Sequence, residues 1–262
     1  MAIQYPVPHL PMLGKGSILL DIFDANGLAT GFQHLGNCTK FELDLKDDIA
    51  ELYQSINKSV TLIATSLKKR QPKISITGTD FSSVHMAITQ MSSGKTTLVT
   101  TVTTFTAEVL ASATAIKHGR FFRTANPNVD NVTTPPVLTN NSVVLVVGTD
   151  YIVSDSIKGI FYFPLTSTVI DADNVTITYH TLVGSFDQVA GATVPFIQAH
   201  LLFVPDPTDG QKIQCDLWRV NLNPNGQIGL IADDYGNWSL DGNILDDTAN
   251  HPTDPFFLFT FF

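Results

Sequence analysis

Residues 39–46, TKFELDLK, alternate without a break: Phe41, Leu43 and Leu45 fall on one side, Lys40, Glu42, Asp44 and Lys46 on the other. A period of two is the signature of a β-strand, and apolar residues on one side only place that strand between a core and water. GSILLDIFD (16–24) reads as an earlier strand, apolar on both faces near its middle, and ANGLATG after it carries the Asn26-Gly27 pair that suits a hairpin turn. SVTLIATSL and KISITGTDF are further strands, and the basic run KKRQPK (68–73) between them reads as a solvated turn. Two stretches depart from the β pattern. DDIAELYQSI (47–56) reads as a short helix with Asp47 or Asp48 at its positive end, and FSSVHMAITQM (81–91) as another, capped by Ser82.

After the second helix, TTLVTTVTTFT is β-branched and reads as strand. Residues 126–141, rich in Asn, Thr and Pro, read as a long loop. SVVLVVGTDYIVS and GIFYFPL read as strands around the polar turn SDSIKG, VTITYHTLVG as another strand, and SFDQVAGATV as a flexible link. FIQAHLLFV, KIQCDLWRVNL, QIGLI, NWSLDGNIL and PFFLFTFF complete the strand set. Many strands with few helices predict an all-β sandwich or barrel. In PFFLFTFF the side chains Phe257, Phe259 and Phe261 share one face and Phe256 and Phe262 the other. Two apolar faces predict a central core strand, with a strand completing a neighbour's interface as the alternative.

Composition adds one point. Hydrophobic residues make up 44% of the chain and charged residues 15%, the balance of a subunit whose surface is partly covered by neighbours or of a large core. A net charge of −9 and the absence of aromatics from the basic run 68–73 argue against nucleic-acid binding through clustered cations. Cys38 and Cys215 have no partner spacing and read as buried free thiols of a reducing compartment, with a disulfide as the alternative. The first residues, MAIQYPVPHLPM, lack the charged and apolar regions of a signal peptide, and no apolar run reaches membrane-spanning length.

Candidate chemistry is sparse. SSGKTTLV (92–99) ends like a phosphate-binding loop, but Thr89 stands where that loop needs its first glycine. Moreover a helix precedes the run and a strand follows it, the reverse of the required order. His34 and Cys38 form an isolated pair without a second ligand pair, so no metal is expected there. Asp233-Asp234 and Asp246-Asp247 lack the glycine and distal glutamate of a calcium loop. Neither a nucleophile elbow nor a recognisable carboxylate pair occurs, and the expectation is a non-enzyme without cofactor.

Three stretches in this order carry a resemblance: GSILLDIFDANGLATGFQHLGNCTKFELDLK, KISITGTDFSSVHMAI and IADDYGNWSLDGNILDD. Together they resemble the tail tube (major tail) proteins of long-tailed bacteriophages, over roughly residues 14–90 and 195–250. The resemblance implies an all-β sandwich or barrel of the tail tube type with a short flanking α-helix, in one domain with an inserted segment at about 120–190. It implies hexameric rings of this chain stacked into a hollow tube through which double-stranded DNA passes without specific binding. It also implies tail terminator, tail tip and tape measure proteins as partners, a virion tail location after assembly in the host cytoplasm, and no membrane. Under this reading Glu42, Asp44, Gln214 and Asp216 are the lumen-facing candidates. His34 and Asn37 in one turn, with Asn128, Asp130 and Asn131 in the 126–141 loop, are the candidates for contacts between rings. The alternatives are a β-sandwich adhesin or carbohydrate-binding module using Trp218, Tyr235 and Trp238, and the tube protein of a bacterial contractile secretion system.

Overall fold

The computed structural model describes residues 13–54, 60–110, 116–169, 174–206, 210–231 and 233–262. It begins with β1 (Gly16–Ile22), which turns through Asn26-Gly27 into the short antiparallel β2 (Gln33–His34). Asp24 builds that turn by accepting the backbone N–H groups of Asn26 and Leu28, and Gly27 takes φ +76°, a conformation that favours glycine. Next come β3 (Cys38–Gln54) and β4 (Thr61–Gly78), paired along their whole length as one long antiparallel hairpin. The helix predicted at 47–56 does not form: residues 47–54 continue β3, and 55–56 lie outside the described residues. Opposite them stand Leu67, Leu62 and Arg70, which give Ile49, Tyr53 and Asp47 cross-strand partners that an isolated short helix lacks. The run KKRQPK is likewise the middle of β4 and not a turn.

Helix α1 (Ser83–Thr89) follows, with Ser82 as its N-cap accepting the His85 N–H. The chain then enters a second compact unit, residues 96–188, with a core of its own. It enters along β5 (Lys95–Thr100) and continues through β6 (Thr104–Val109), β7 (Arg120–Arg123), β8 (Val137–Asn140) and β9 (Val143–Val144). Then come β10 (Ile152–Asp155), β11 (Ile160–Phe163), β12 (Val175–His180) and β13 (Gly184–Val189), the last pairing with β5. Sheets ordered β10-β11-β7 and β6-β12-β8-β9 bury Ile116, Leu138, Phe161, Phe163, Ile177 and Tyr179. The insertion is thus longer than the expected 120–190, and SFDQVAGATV supplies strand β13 where a flexible link was expected. Of the loop expected over 126–141, residues 137–140 are strand β8.

The first unit resumes with β14 (Ile197–Pro205), β15 (Ile213–Pro224), β16 (Trp238–Ile244) and β17 (Phe257–Phe261). Its sheet runs β2-β1-β14-β15-β16-β4-β3, with β17 alongside the first half of β15. In a flat sheet β14 and β3, four steps apart, would be about 19 Å from each other. Instead Phe41 on β3 stacks on Phe203 of β14 at 5.4 Å, so the sheet curls round and encloses its apolar face. Ile18, Leu20, Ile76, Leu201, Leu217 and Leu240 fill the interior. Trp238 closes one end: its indole N–H donates to the Asp80 carbonyl at 2.8 Å and its ring packs on His85 of α1. Gly78 leaves room for that ring, since a Cβ there would lie 2.2 Å from the indole. QIGLI forms no strand; it belongs to the link between β15 and β16, with Ile231 98% exposed.

Candidate assembly surfaces

Cross-strand register brings the four lumen candidates to one face of the first unit's sheet. Asp44 stands opposite Lys73, Lys73 opposite Asn243, Asn243 opposite Asn221, and Asn221 opposite Gln198. The neighbouring row is Glu42, Ser75, Asp241 and Asn223. On β15, Gln214 and Asp216 alternate with the buried Cys215 and Leu217. A bulge between Leu217 and Val220, both buried, keeps Asp216 and Asn221 on the same outward side. The face is richer in amides and hydroxyls than in free carboxylates. Lys40 pairs with Glu42 at 2.9 Å, and Lys73 stands beside Asp44.

Asp216 does not share the exposure of Glu42 and Asp44. Its side chain is 14% exposed, takes a hydrogen bond from Gln214 at 2.9 Å and lies 3.8 Å from His200. The segment after β16 lies over this corner. His251 stacks on Trp218 at 3.8 Å, Asp247 contacts His251 at 2.8 Å, and the Trp218 indole donates to the Asp254 carbonyl. Burial holds the His200 imidazole below its ordinary range, with Asp216 and Asp21 pulling the other way.

The loop candidates divide between the two units. In the first, His34 Nδ1 accepts the Gly36 N–H, while Asn37 is tied to Asp80 and Thr79 by two bonds of 2.8 Å. In the second, Asn128 adopts φ +65° and donates to the Leu182 carbonyl, and Asn131 is exposed. Asp130 is buried and turned into its own loop: it accepts the N–H groups of Val132, Thr133 and Thr134 and the Thr134 hydroxyl. Those donors, led by the Val132 N–H, pull its carboxyl down to about 2. Asp130 therefore shapes the loop and does not present a contact group.

The C-terminal strand departs from the central position expected of it. Among the described residues β17 hydrogen-bonds to β15 alone. Phe256 and Phe257 pack against the core, whereas Leu258, Phe259, Phe261 and Phe262 are exposed.

A further surface lies where the sequence reading placed a helix. Beyond Leu43 the β3–β4 hairpin runs past the core as a two-stranded ribbon, and on the side that faces the core at its root apolar pairs alternate with the polar pairs Asp47–Arg70 and Glu51–Thr65 as far as Tyr53. Leu45 stands opposite Pro72, Ile49 opposite Leu67 and Tyr53 opposite Leu62, with the Asp47–Arg70 ion pair between the first two. Leu45 is 62% exposed, Ile49 51% and Leu67 50%. Near the root, Leu45, Pro72, Phe256 and Phe257 line an open cavity of about 340 Å³.

Cys38 and Cys215 are free, and burial, then Asp80 and Asp216 respectively, pushes their thiols up to about 11 and about 12. Among the described residues no three His, Cys, Asp or Glu side chains converge as a metal site. In the SSGKTTLV run α1 precedes the turn and β5 follows it. Trp218, Tyr235 and Trp238 share no platform: Trp238 is in the core, Trp218 lies against His251, and Tyr235 stands fully exposed in the link before β16.

The model of the family described as "Protein of unknown function UCP028589" matches residues 11–256. No curated protein matches the chain.

Proposed function

We propose that this chain, which belongs to the family of unknown function whose model spans it from residue 11 to residue 256, is a structural subunit that polymerises with copies of itself. In this reading the copies close into rings and the rings stack into a hollow tube, as the resemblance to tail tube proteins implies. The observation that carries it is the β3–β4 ribbon. A two-stranded ribbon is marginal by itself, and one that exposes the Ile49–Leu67 and Tyr53–Leu62 pairs together with Leu45 is stable in water only if another surface covers them. The exposed phenylalanines of β17 and its unpaired edge add a second uncovered surface to the same unit. Head-to-tail contacts of this kind close a ring when the rotation permits and repeat without limit along an axis.

The polar face suits the inside of a conduit for DNA. Glu42, Asp44, Asp241, Asn223 and Asn243 offer hydrated groups, and the cations among them, Lys40 and Lys73, each stand beside a carboxylate, Glu42 and Asp44 respectively. Sedimentation velocity across a concentration series tests the reading. A single subunit-sized species at every concentration overturns it, and a shift to discrete large assemblies supports it.

A further inference from the structure

The charges of the ribbon are sorted by strand. From Asp44 to Gln54, β3 carries Asp44, Asp47, Asp48 and Glu51 against one lysine, Lys46. From Thr61 to Lys73, β4 carries Lys68, Lys69, Arg70 and Lys73 and no acid. Within one copy the two sets face each other, Asp47 opposite Arg70 and Asp48 opposite Lys69. Among the described residues the outer edges of both strands remain unpaired along the ribbon: β3 pairs only with β4, and β16 pairs with β4 no further than Lys73. The ribbon therefore has one acidic edge and one basic edge, each with free backbone hydrogen-bonding groups.

We propose that a second copy of this chain docks edge to edge on the ribbon, always the acidic β3 edge of one copy on the basic β4 edge of the next. This rests on the self-assembly reading above and specifies its contact. Two ribbons pointing the same way place β4 of one antiparallel to β3 of the next, so the ladder continues and the charges alternate strand by strand. A two-fold pairing would set β3 against β3, with Asp48 and Glu51 facing like charges, or β4 against β4, with Lys68, Lys69 and Arg70 doing so. Like charges directly opposite destabilise a strand pair, so the sorting selects the head-to-tail contact that closes rings and penalises the symmetric dimer.

The test is a charge-swapped chain: Asp47→Lys, Asp48→Lys and Glu51→Lys together with Lys68→Glu, Lys69→Glu and Arg70→Glu. The Asp47–Arg70 and Asp48–Lys69 pairings survive with their signs exchanged, Glu51→Lys gives up the hydrogen bond its carboxylate accepts from the Tyr53 hydroxyl, and all six positions are exposed, so the fold is kept; the melting temperature checks this. Swapped and wild-type chains carrying different affinity tags are mixed as subunits, assembled, and captured through one tag. The head-to-tail contact predicts that each chain assembles with itself and that mixed assemblies fall about tenfold below random incorporation at low salt. Segregation should fade at about 1 M salt. Random mixing overturns the proposal, and preferential mixing overturns it in favour of two-fold pairing. A folded swapped chain that cannot assemble alone also overturns it. If wild type itself never assembles, the self-assembly reading fails too, which separates the two failures.

Discussion

Replacing Ile49 and Leu67 by threonine removes one of the three apolar cross-strand pairs of the ribbon and keeps its β-branched or β-compatible character. The two side chains are 51% and 50% exposed, so roughly half of each remains to be covered by a neighbour. Burial of a whole Ile or Leu side chain is worth about 1.5–3 kcal/mol. Covering the exposed halves is therefore worth about 1 kcal/mol each, or about 2 kcal/mol for each contact. That corresponds to about a thirtyfold weaker association. Since neither residue belongs to the buried core, the folded subunit should change by no more than about 0.5 kcal/mol. The assay is a pair of measurements on the double variant: the concentration at which half the protein sediments as assembly, and the urea midpoint of the dissociated subunit. A large rise in the first and little change in the second are expected. An unchanged assembly concentration refutes this, as does a urea midpoint lowered in proportion to the loss of assembly.

Three further outcomes follow from particular contacts. Gly78→Ala places a methyl 2.2 Å from the Trp238 ring and should cost about 1–3 kcal/mol, read as a lowered urea midpoint. Asp130 is stabilised as the carboxylate, so its contribution is complete above the ordinary value of 3.8 and is lost as pH falls through about 2. Asp130→Asn should therefore lower the melting temperature at pH 7 and flatten its fall between pH 4 and pH 2, measured by circular dichroism. Glu42→Lys with Asp44→Lys reverses two exposed charges on the polar face. Assemblies of this variant should retain double-stranded DNA in a co-sedimentation assay at low salt, where wild-type assemblies release it.

Much of the first unit was legible because its strands each have one wet face. TKFELDLK, KISITGTDF, FIQAHLLFV and KIQCDLWRVNL all appear as strands, and Ser82 caps α1 where its position predicted. The ribbon escaped for a periodic reason. Leu45, Ile49 and Tyr53 are four apart, and residues four apart share a face both in a helix and in a strand. What decided between them was the partner strand, whose Leu67 and Leu62 face Ile49 and Tyr53 from a distant part of the sequence. The same dependence on partners explains SFDQVAGATV, whose polar composition hides a strand paired to β5. PFFLFTFF misled in the opposite sense. Apolar residues on both faces predict a strand covered on both, whereas within one chain β17 has Phe256 and Phe257 on the core and its later phenylalanines in water. Asp130 and Asp216 were recognised as polar, but sequence carries no signal that one would cap its own loop and the other lie beneath residues 247–254.

Self-assembly into rings and tubes is open to direct observation by electron microscopy of the purified chain after concentration. Rings seen end-on and hollow tubes with a regular axial repeat are expected, forming only at much higher concentration when Ile49 and Leu67 are replaced. A field of dispersed single subunits at every concentration and salt, from protein shown to be folded, would contradict it.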